Sequence, residues 1–89
     1  MRQPYFTNKF KKDVKRQDKR GKSLSKLSDL IDHICAHGDA RESNRPHNLA
    51  GDWMGYRECH IEPDWLLIFT VEEEAVTFYR TGTHSDLFR

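Results

Sequence analysis

Apolar residues follow two different rhythms along this chain. Between residues 23 and 38 the rhythm is helical: Leu24, Leu27, Leu30, Ile31 and Ile34 recur at three- and four-residue spacing. They predict one buried helix face, with Ser23 placed to cap its start and Gly38 to end it. Phe10 and Val14 sit four apart among lysines and predict a more basic helix upstream, opened by Asn8 and stopped by Gly21. Only a few residues separate the two helices, so an antiparallel hairpin is expected. Pro4 to Thr7, before them, is a short aromatic stretch suited to an edge strand.

From residue 55 onward the rhythm changes to two. GYRECHI, residues 55 to 61, sets Arg57, Cys59 and Ile61 opposite Tyr56, Glu58 and His60. Residues 65 to 71, WLLIFTV, are apolar on both alternating faces and predict a central strand. Residues 75 to 81 predict a third strand, with turns at Glu62-Pro63-Asp64 and Glu72 to Glu74. Residues 38 to 52, GDARESNRPHNLAGD, show neither rhythm and read as a long loop, a common place for function. The fold class expected is α+β, a small twisted antiparallel sheet packed against an N-terminal helical hairpin. A single domain spans residues 1–89.

Composition narrows the class. With 36% hydrophobic and 33% charged residues, the chain suits a folded globule rather than a disordered tail. Its longest apolar run falls far short of the roughly 20 residues of a membrane span, so no membrane partner is expected. The basic run after Phe10 is unlike a signal peptide, and two cysteines, Cys35 and Cys59, make no disulfide framework. A reduced, cytoplasmic protein is the expectation, with Cys59 in the core. The overall charge of +1 hides an asymmetry: residues 1 to 26 carry ten Lys/Arg against Asp13 and Asp18. Such a segment, which includes Lys11, Lys12 and Lys15, suits either a nucleic-acid footprint or a solvated helix face.

The hairpin geometry selects the candidate chemistry. Chain direction reverses at each turn, so His60, Asp64 and Trp65 fall at the same sheet end as Arg80, Thr81 and His84. Strands of this length span roughly 23 Å, which puts the opposite end out of reach. His47 joins the group only if its loop folds back along the sheet; otherwise it is an ordinary exposed loop histidine. Histidines exchange protons near neutrality, and two of them flanking a phosphodiester suit general base and general acid. Asp64 suits orientation of an imidazole, and Arg80 offers a fork for phosphate. Trp65 and Phe88 offer flat faces for bases. With RNA, the 2′-hydroxyl serves as nucleophile and no metal or other cofactor is needed. His60 and Asp64 flank a proline turn, and neither Cys-x-x-Cys nor His-Glu-x-x-His occurs, so no metal site is expected. The plainer reading is that His60 and His84 only hydrogen-bond at a strand end. His33 and His37 lie near the end of the second helix and suit a role toward its dipole or solvent.

At these residues the chain resembles a known family. HNLAGDWMGYRECHIEPDWLLIF followed by FYRTGTHSDLF is similar to YafQ-type toxins of the RelE/ParE superfamily of bacterial type II toxin–antitoxin systems. The resemblance extends over nearly the whole chain. It implies a ribosome-dependent endoribonuclease, an mRNA interferase that cuts messenger RNA in the A site of the 70S ribosome and inhibits translation. His84 matches the principal catalytic histidine, expected as general acid. His47, His60 and Asp64 match other acid–base and supporting positions, and Trp65, Arg80 and Phe88 match substrate stacking and phosphate contacts. Phe69 stands where tyrosine is often found. Which histidine is the base stays open. The implied partners are a cognate antitoxin, the ribosome and messenger RNA, with operator DNA reached only through the antitoxin. Basic α-helical residues would meet ribosomal RNA when the toxin is free and an acidic antitoxin segment when it is inhibited. A non-nuclease member of the same fold, such as a gyrase poison, is the competing reading, and a bare antitoxin-binding module is a third.

Overall fold

The computed structural model describes residues 1–88. Five strands make one sheet in the order β1-β5-β4-β3-β2. The strands are β1 (Gln3–Phe6), β2 (His47–Asn48), β3 (Arg57–Glu62), β4 (Trp65–Val71) and β5 (Ala75–Gly82). Three α-helices accompany them: α1 (Asn8–Lys19), α2 (Leu24–His37) and the short α3 (His84–Leu87). The β3-β4-β5 meander is antiparallel as the turns require, and β1 is the outer strand on β5. One pairing departs from the all-antiparallel expectation: β1 runs parallel to β5. A parallel neighbour needs a long crossover, and the path through both helices and the meander supplies it.

Local chemistry sets the helix ends. Thr7, rather than Asn8, is the N-cap of α1, accepting from the Phe10 N–H at 3.0 Å. Its hydroxyl donates in turn to the Tyr79 carbonyl at 2.9 Å, which fixes the start of α1 against β5. α2 follows after four residues and ends at Gly38, whose φ of 80° is the left-handed conformation that suits glycine. Ser23 precedes α2 but makes no side-chain capping bond. Among the described residues, no helix is long and apolar enough to cross a membrane.

The alternation in the strands divides the molecule into two apolar layers. On one face Phe10, Leu27, Leu30 and Ile34 from the helices pack against Cys59, Trp65, Leu67, Phe69, Val76 and Phe78. On the other, Leu66, Ile68 and Leu87 form a smaller cluster bordered by Leu49, Trp53, Tyr56 and Tyr79. That second face carries α3 in place of a helical cover.

Residues 38 to 52 are more ordered than their lack of rhythm implies. They hold two single 3-10 turns, Glu42–Asn44 and Gly51–Trp53, with β2 between them. The Arg57 fork grips Asp39 at 2.9 and 2.7 Å, and Asn44 Nδ2 donates to the His60 carbonyl at 2.9 Å. These contacts fold the segment back along β3, where His47 stands opposite Glu58.

Candidate active site

The β3–β4 turn is two residues, Pro63 and Asp64, because Glu62 pairs with Trp65. A register shift between His60 and Glu62 bends β3 just before the turn. At the end of β5, Thr83 caps α3 through a capping box with Asp86. Asp86 is also gripped by the Arg20 fork at 2.6 and 3.1 Å, which holds its carboxyl well below the usual carboxylate range. Gly82 makes room for this arrangement, since a Cβ there would lie 2.8 Å from Asp86 Oδ2.

His84 is therefore the first residue of a helix whose start is fixed from three sides. Its backbone N–H, unsatisfied within the helix, donates to Asp64 Oδ1 at 2.9 Å. Its ring Nδ1 meets the same oxygen at 2.7 Å. These two bonds, the backbone one foremost, depress the Asp64 carboxyl below its ordinary value. Both side chains remain open to solvent, 57% and 64% exposed, so the pair is accessible to a large substrate.

Three imidazoles form a row across the sheet end. The His84 ring lies 6.1 Å from that of His60, and the His60 ring 6.3 Å from that of His47. His60 Nδ1 faces the Pro63 carbonyl at 3.2 Å, and His47 Nδ1 faces the Arg45 carbonyl at 3.0 Å. A carbonyl oxygen only accepts, so Nδ1 carries the hydrogen in each case. The Asp64 carboxylate imposes the same tautomer on His84. Nε2 is consequently the nitrogen that His60 and His84 offer to chemistry, whereas His47 Nε2 lies 3.2 Å from Glu58 Oε1.

The other expected residues divide. Phe88 is 38% exposed, with its ring 6.4 Å from His84, at the rim of the row. Arg80 lines a cleft with Lys9, Trp53, Tyr56 and Tyr79, but its Nε and Nη2 are already engaged by Asp13 at 2.6 and 3.2 Å. Asp13 also accepts from the Thr81 N–H at 3.2 Å, completing the β5 edge beyond the end of β1.

Trp65 requires correction. It is fully buried on the helix-covered face, where its indole N–H donates to Thr81 Oγ1 at 2.9 Å, and no base can stack on it. Its neighbour Leu66, not Trp65, is paired with His60. Lys11 and Lys15 also lie elsewhere: with Phe6, Val14 and Ile31 they line an apolar groove between α1 and α2. At about 100° per residue they stand opposite Asp13 on α1, whereas Lys12 falls on the side of Lys9 and Arg16.

Several residues near the row were absent from the sequence-derived site. Glu58 contacts His47, Asp13 fixes Arg80, and Arg20 fixes Asp86. Trp53, Tyr56 and Tyr79 form an edge-to-face aromatic series, with centroid separations of 5.2 and 4.7 Å. The period-two pattern already placed Glu58 and Tyr56 on the face of His60; nothing in it reported the long-range ion pairs.

A small mixed sheet, two N-terminal helices and an exposed row of imidazoles at the sheet end place the chain in a known class of bacterial toxins. The family model described as the bacterial toxin of type II toxin–antitoxin systems, YafQ, matches residues 2–89, and the chain belongs to that family. The structure of YafQ from Escherichia coli BL21(DE3) matches with a TM-score of 0.92 and 36% identity, covering 100% of both chains. The E. coli DinJ–YafQ complex matches with a TM-score of 0.90 and 37% identity, again over 100% of both chains. The mRNA interferase toxin YafQ of E. coli K12 is 38% identical over 84 residues, covering 93% of this chain and 91% of that protein.

Proposed function

We propose that this toxin is an mRNA interferase that cuts messenger RNA in the ribosomal A site, in the cytoplasm, by acid–base catalysis. The observation that carries the reading is the row of His47, His60 and His84 with Nδ1 occupied in every ring and Nε2 of His60 and His84 turned to the open face. His60 Nε2 takes the proton of the 2′-hydroxyl, and the freed oxygen attacks the adjacent phosphorus. The bond from phosphorus to the 5′-oxygen breaks, and His84 Nε2–H gives its proton to that leaving oxygen. The products are a 2′,3′-cyclic phosphate and a 5′-hydroxyl. His60 ends protonated and His84 neutral, and exchange with water resets both. No metal is required, because the side chains supply base, acid and positive charge.

Asp64 accepts from His84 Nδ1, which orients the ring, and stabilises the imidazolium whose Nε2–H is the proton given up, the role of an orienting carboxylate in other acid–base sites. Arg80, steadied by Asp13, contributes charge at the cleft, and Phe88 offers a face to a base beside the row. Lys9 lines the Arg80 cleft, Arg16 approaches Asp86, and with Lys12 on the same side of α1 they suit ribosomal RNA. Similarity to the DinJ–YafQ complex supports a cognate antitoxin as the inhibiting partner.

Induced expression with primer-extension mapping of transcript ends tests this. Wild type should arrest growth and produce discrete cuts within translated messages, and His84→Ala should do neither while still binding antitoxin. Wild-type toxicity in His84→Ala would remove the reading. Arrest that spares messenger RNA but accumulates DNA breaks would favour a gyrase poison.

A further inference from the structure

Regular alternation along β5 would send Tyr79 and Arg80 to opposite faces of the sheet. Val76 and Phe78 follow that alternation and join the helix-covered core. Then the register shifts: Phe69 pairs with Phe78 and Ile68 with Arg80, so Tyr79 has no partner on β4. This is a β-bulge, an irregularity that re-aims side chains. Its result is that Tyr79 and Arg80 line one cleft together with Lys9, Trp53 and Tyr56. The Tyr79 carbonyl accepts from the Thr7 hydroxyl at 2.9 Å, which holds the bulge against the start of α1.

The cleft has the size and chemistry for a nucleotide. Its volume of about 340 Å³ lies at the small end of ligand pockets, which run from roughly 300 to 1,000 Å³. Trp53, Tyr56 and Tyr79 are each half-buried and meet edge to face, at interplanar angles of 85° and 83°. Neither pair is stacked, so a base that slides against a ring displaces no existing stack. Asp13 binds Nε and Nη2 of Arg80 and leaves Nη1 for an anion, and Lys9 adds a second cation. The cleft is also continuous with the imidazole row, because the Phe88 ring lies 6.4 Å from His84 and 6.2 Å from Trp53. The leaving 5′-oxygen at His84 belongs to the nucleotide downstream of the cut. The downstream strand is therefore the one that leads past Phe88 into the cleft.

We propose that the cleft of Trp53, Tyr56 and Tyr79 is a subsite for a message nucleotide on the 3′ side of the cut, with its base against these rings and its phosphate on Arg80 and Lys9. The inference rests on the RNA-cleavage reading and deepens it, since it gives the downstream strand a built place on the protein. Trp53 and Tyr79 take no part in proton transfer; they set where that strand lies. Tyr79 is the key side chain, because the bulge puts its ring beside the guanidinium of Arg80.

Two measurements test it. In the first, adenosine 5′-monophosphate is titrated into the toxin without ribosomes while tryptophan emission is followed. Trp65 is fully buried, so the emission that a bound base quenches is that of Trp53. Quenching should saturate at millimolar nucleotide, vanish in Trp53→Phe, and need about tenfold more nucleotide in Tyr79→Ala. In the second, ribosomes carry messages that are intact or abasic at successive positions downstream of the cut. On the intact message Tyr79→Ala should raise KM by about tenfold with kcat and Tm little changed. Tyr79→Phe, which keeps a ring, should recover the wild-type KM. With the base removed at one downstream position, wild type and Tyr79→Ala should match. Absence of quenching by the nucleotide overturns the assignment, and so does a Tyr79→Ala defect that persists with every downstream base removed, which would put ribosomal RNA in the cleft. The first titration involves no cleavage, so it decides the subsite separately from the RNA-cleavage reading.

Discussion

Cys59 and His60 are neighbours in β3, and the sheet sends them to opposite surfaces. Cys59 is fully buried under the helices, and desolvation pushes its thiol up to about 12, which removes it from chemistry. His60 faces the other side, partly exposed, with one ring nitrogen tied to a turn carbonyl. The same contrast runs through β4, where Trp65, Leu67 and Phe69 join the helix-covered core and Leu66 and Ile68 support the open face. On the covered face, position follows from packing volume. On the open face it follows from directional bonds, such as those that tie His60 to the Pro63 carbonyl and His84 to Asp64. Stability and activity should therefore respond to different substitutions.

The largest separation is expected between Trp65→Ala and His84→Ala. Removing the buried indole should cost about 3–5 kcal/mol, a large part of the stability of a small domain, and should appear as a strongly lowered Tm. His84→Ala should leave Tm nearly unchanged, within about 0.5 kcal/mol, while cleavage falls by about 10²–10⁴-fold. Should Trp65→Phe lose cleavage while keeping its Tm, the division between the faces would fail.

Gly82→Ala lies on the boundary. The added methyl would meet Asp86 Oδ2 at 2.8 Å and Asp86 Cβ at 3.0 Å, so α3 must shift. Because α3 begins at His84, cleavage should fall several-fold more than the change in Tm alone explains. Equal loss of both would show that α3 only packs.

Acid titration separates the faces further. Arg20 and the Thr83 N–H favour ionised Asp86, so its folded pKa lies below the unfolded value. A depressed carboxylate contributes fully above the ordinary value of about 4 and loses that contribution as pH falls below it. Asp86→Asn should therefore have a lower Tm than wild type near neutrality and a shallower decline below about pH 4. Parallel melting curves for the two proteins would contradict this linkage.

The smallest effect expected is on α1. Lys12→Glu should weaken ribosome binding and reduce the salt dependence of that binding by about one unit of slope, whereas Lys11→Glu should change it less. Equal effects would mean that the basic helix acts through net charge alone rather than through the face beside the site.

The covered face was largely legible in the sequence because burial writes a period. Leu27, Leu30 and Ile34 repeat with the helix, and WLLIFTV reads as a strand covered on both sides. Part of the open face was legible too, because chain reversal at Pro63-Asp64 and at the β4–β5 turn brings His60 and His84 to one end. His47 was not derivable: its position depends on Asp39 binding Arg57 and Asn44 binding the His60 carbonyl, contacts between residues far apart in the chain. Trp65 shows the opposite failure. Its flat indole at the sheet end, and then likeness to a family, suggested a stacking role that its burial forbids. Lys11 and Lys15 were grouped with Lys12 by charge, although helical rotation places them on another side. The parallel β1 pairing carried no local signal, since it depends on the route of the whole chain.

The central claim is that His60 removes the proton and His84 returns one to the leaving oxygen. A message carrying sulfur in place of the 5′-bridging oxygen at the cut site tests it most directly, since a thiolate leaves without protonation. The account predicts that this substrate restores cleavage by His84→Ala to near the wild-type rate on the same substrate, and leaves His60→Ala impaired. Equal rescue of both variants, or rescue of His60→Ala alone, would contradict it.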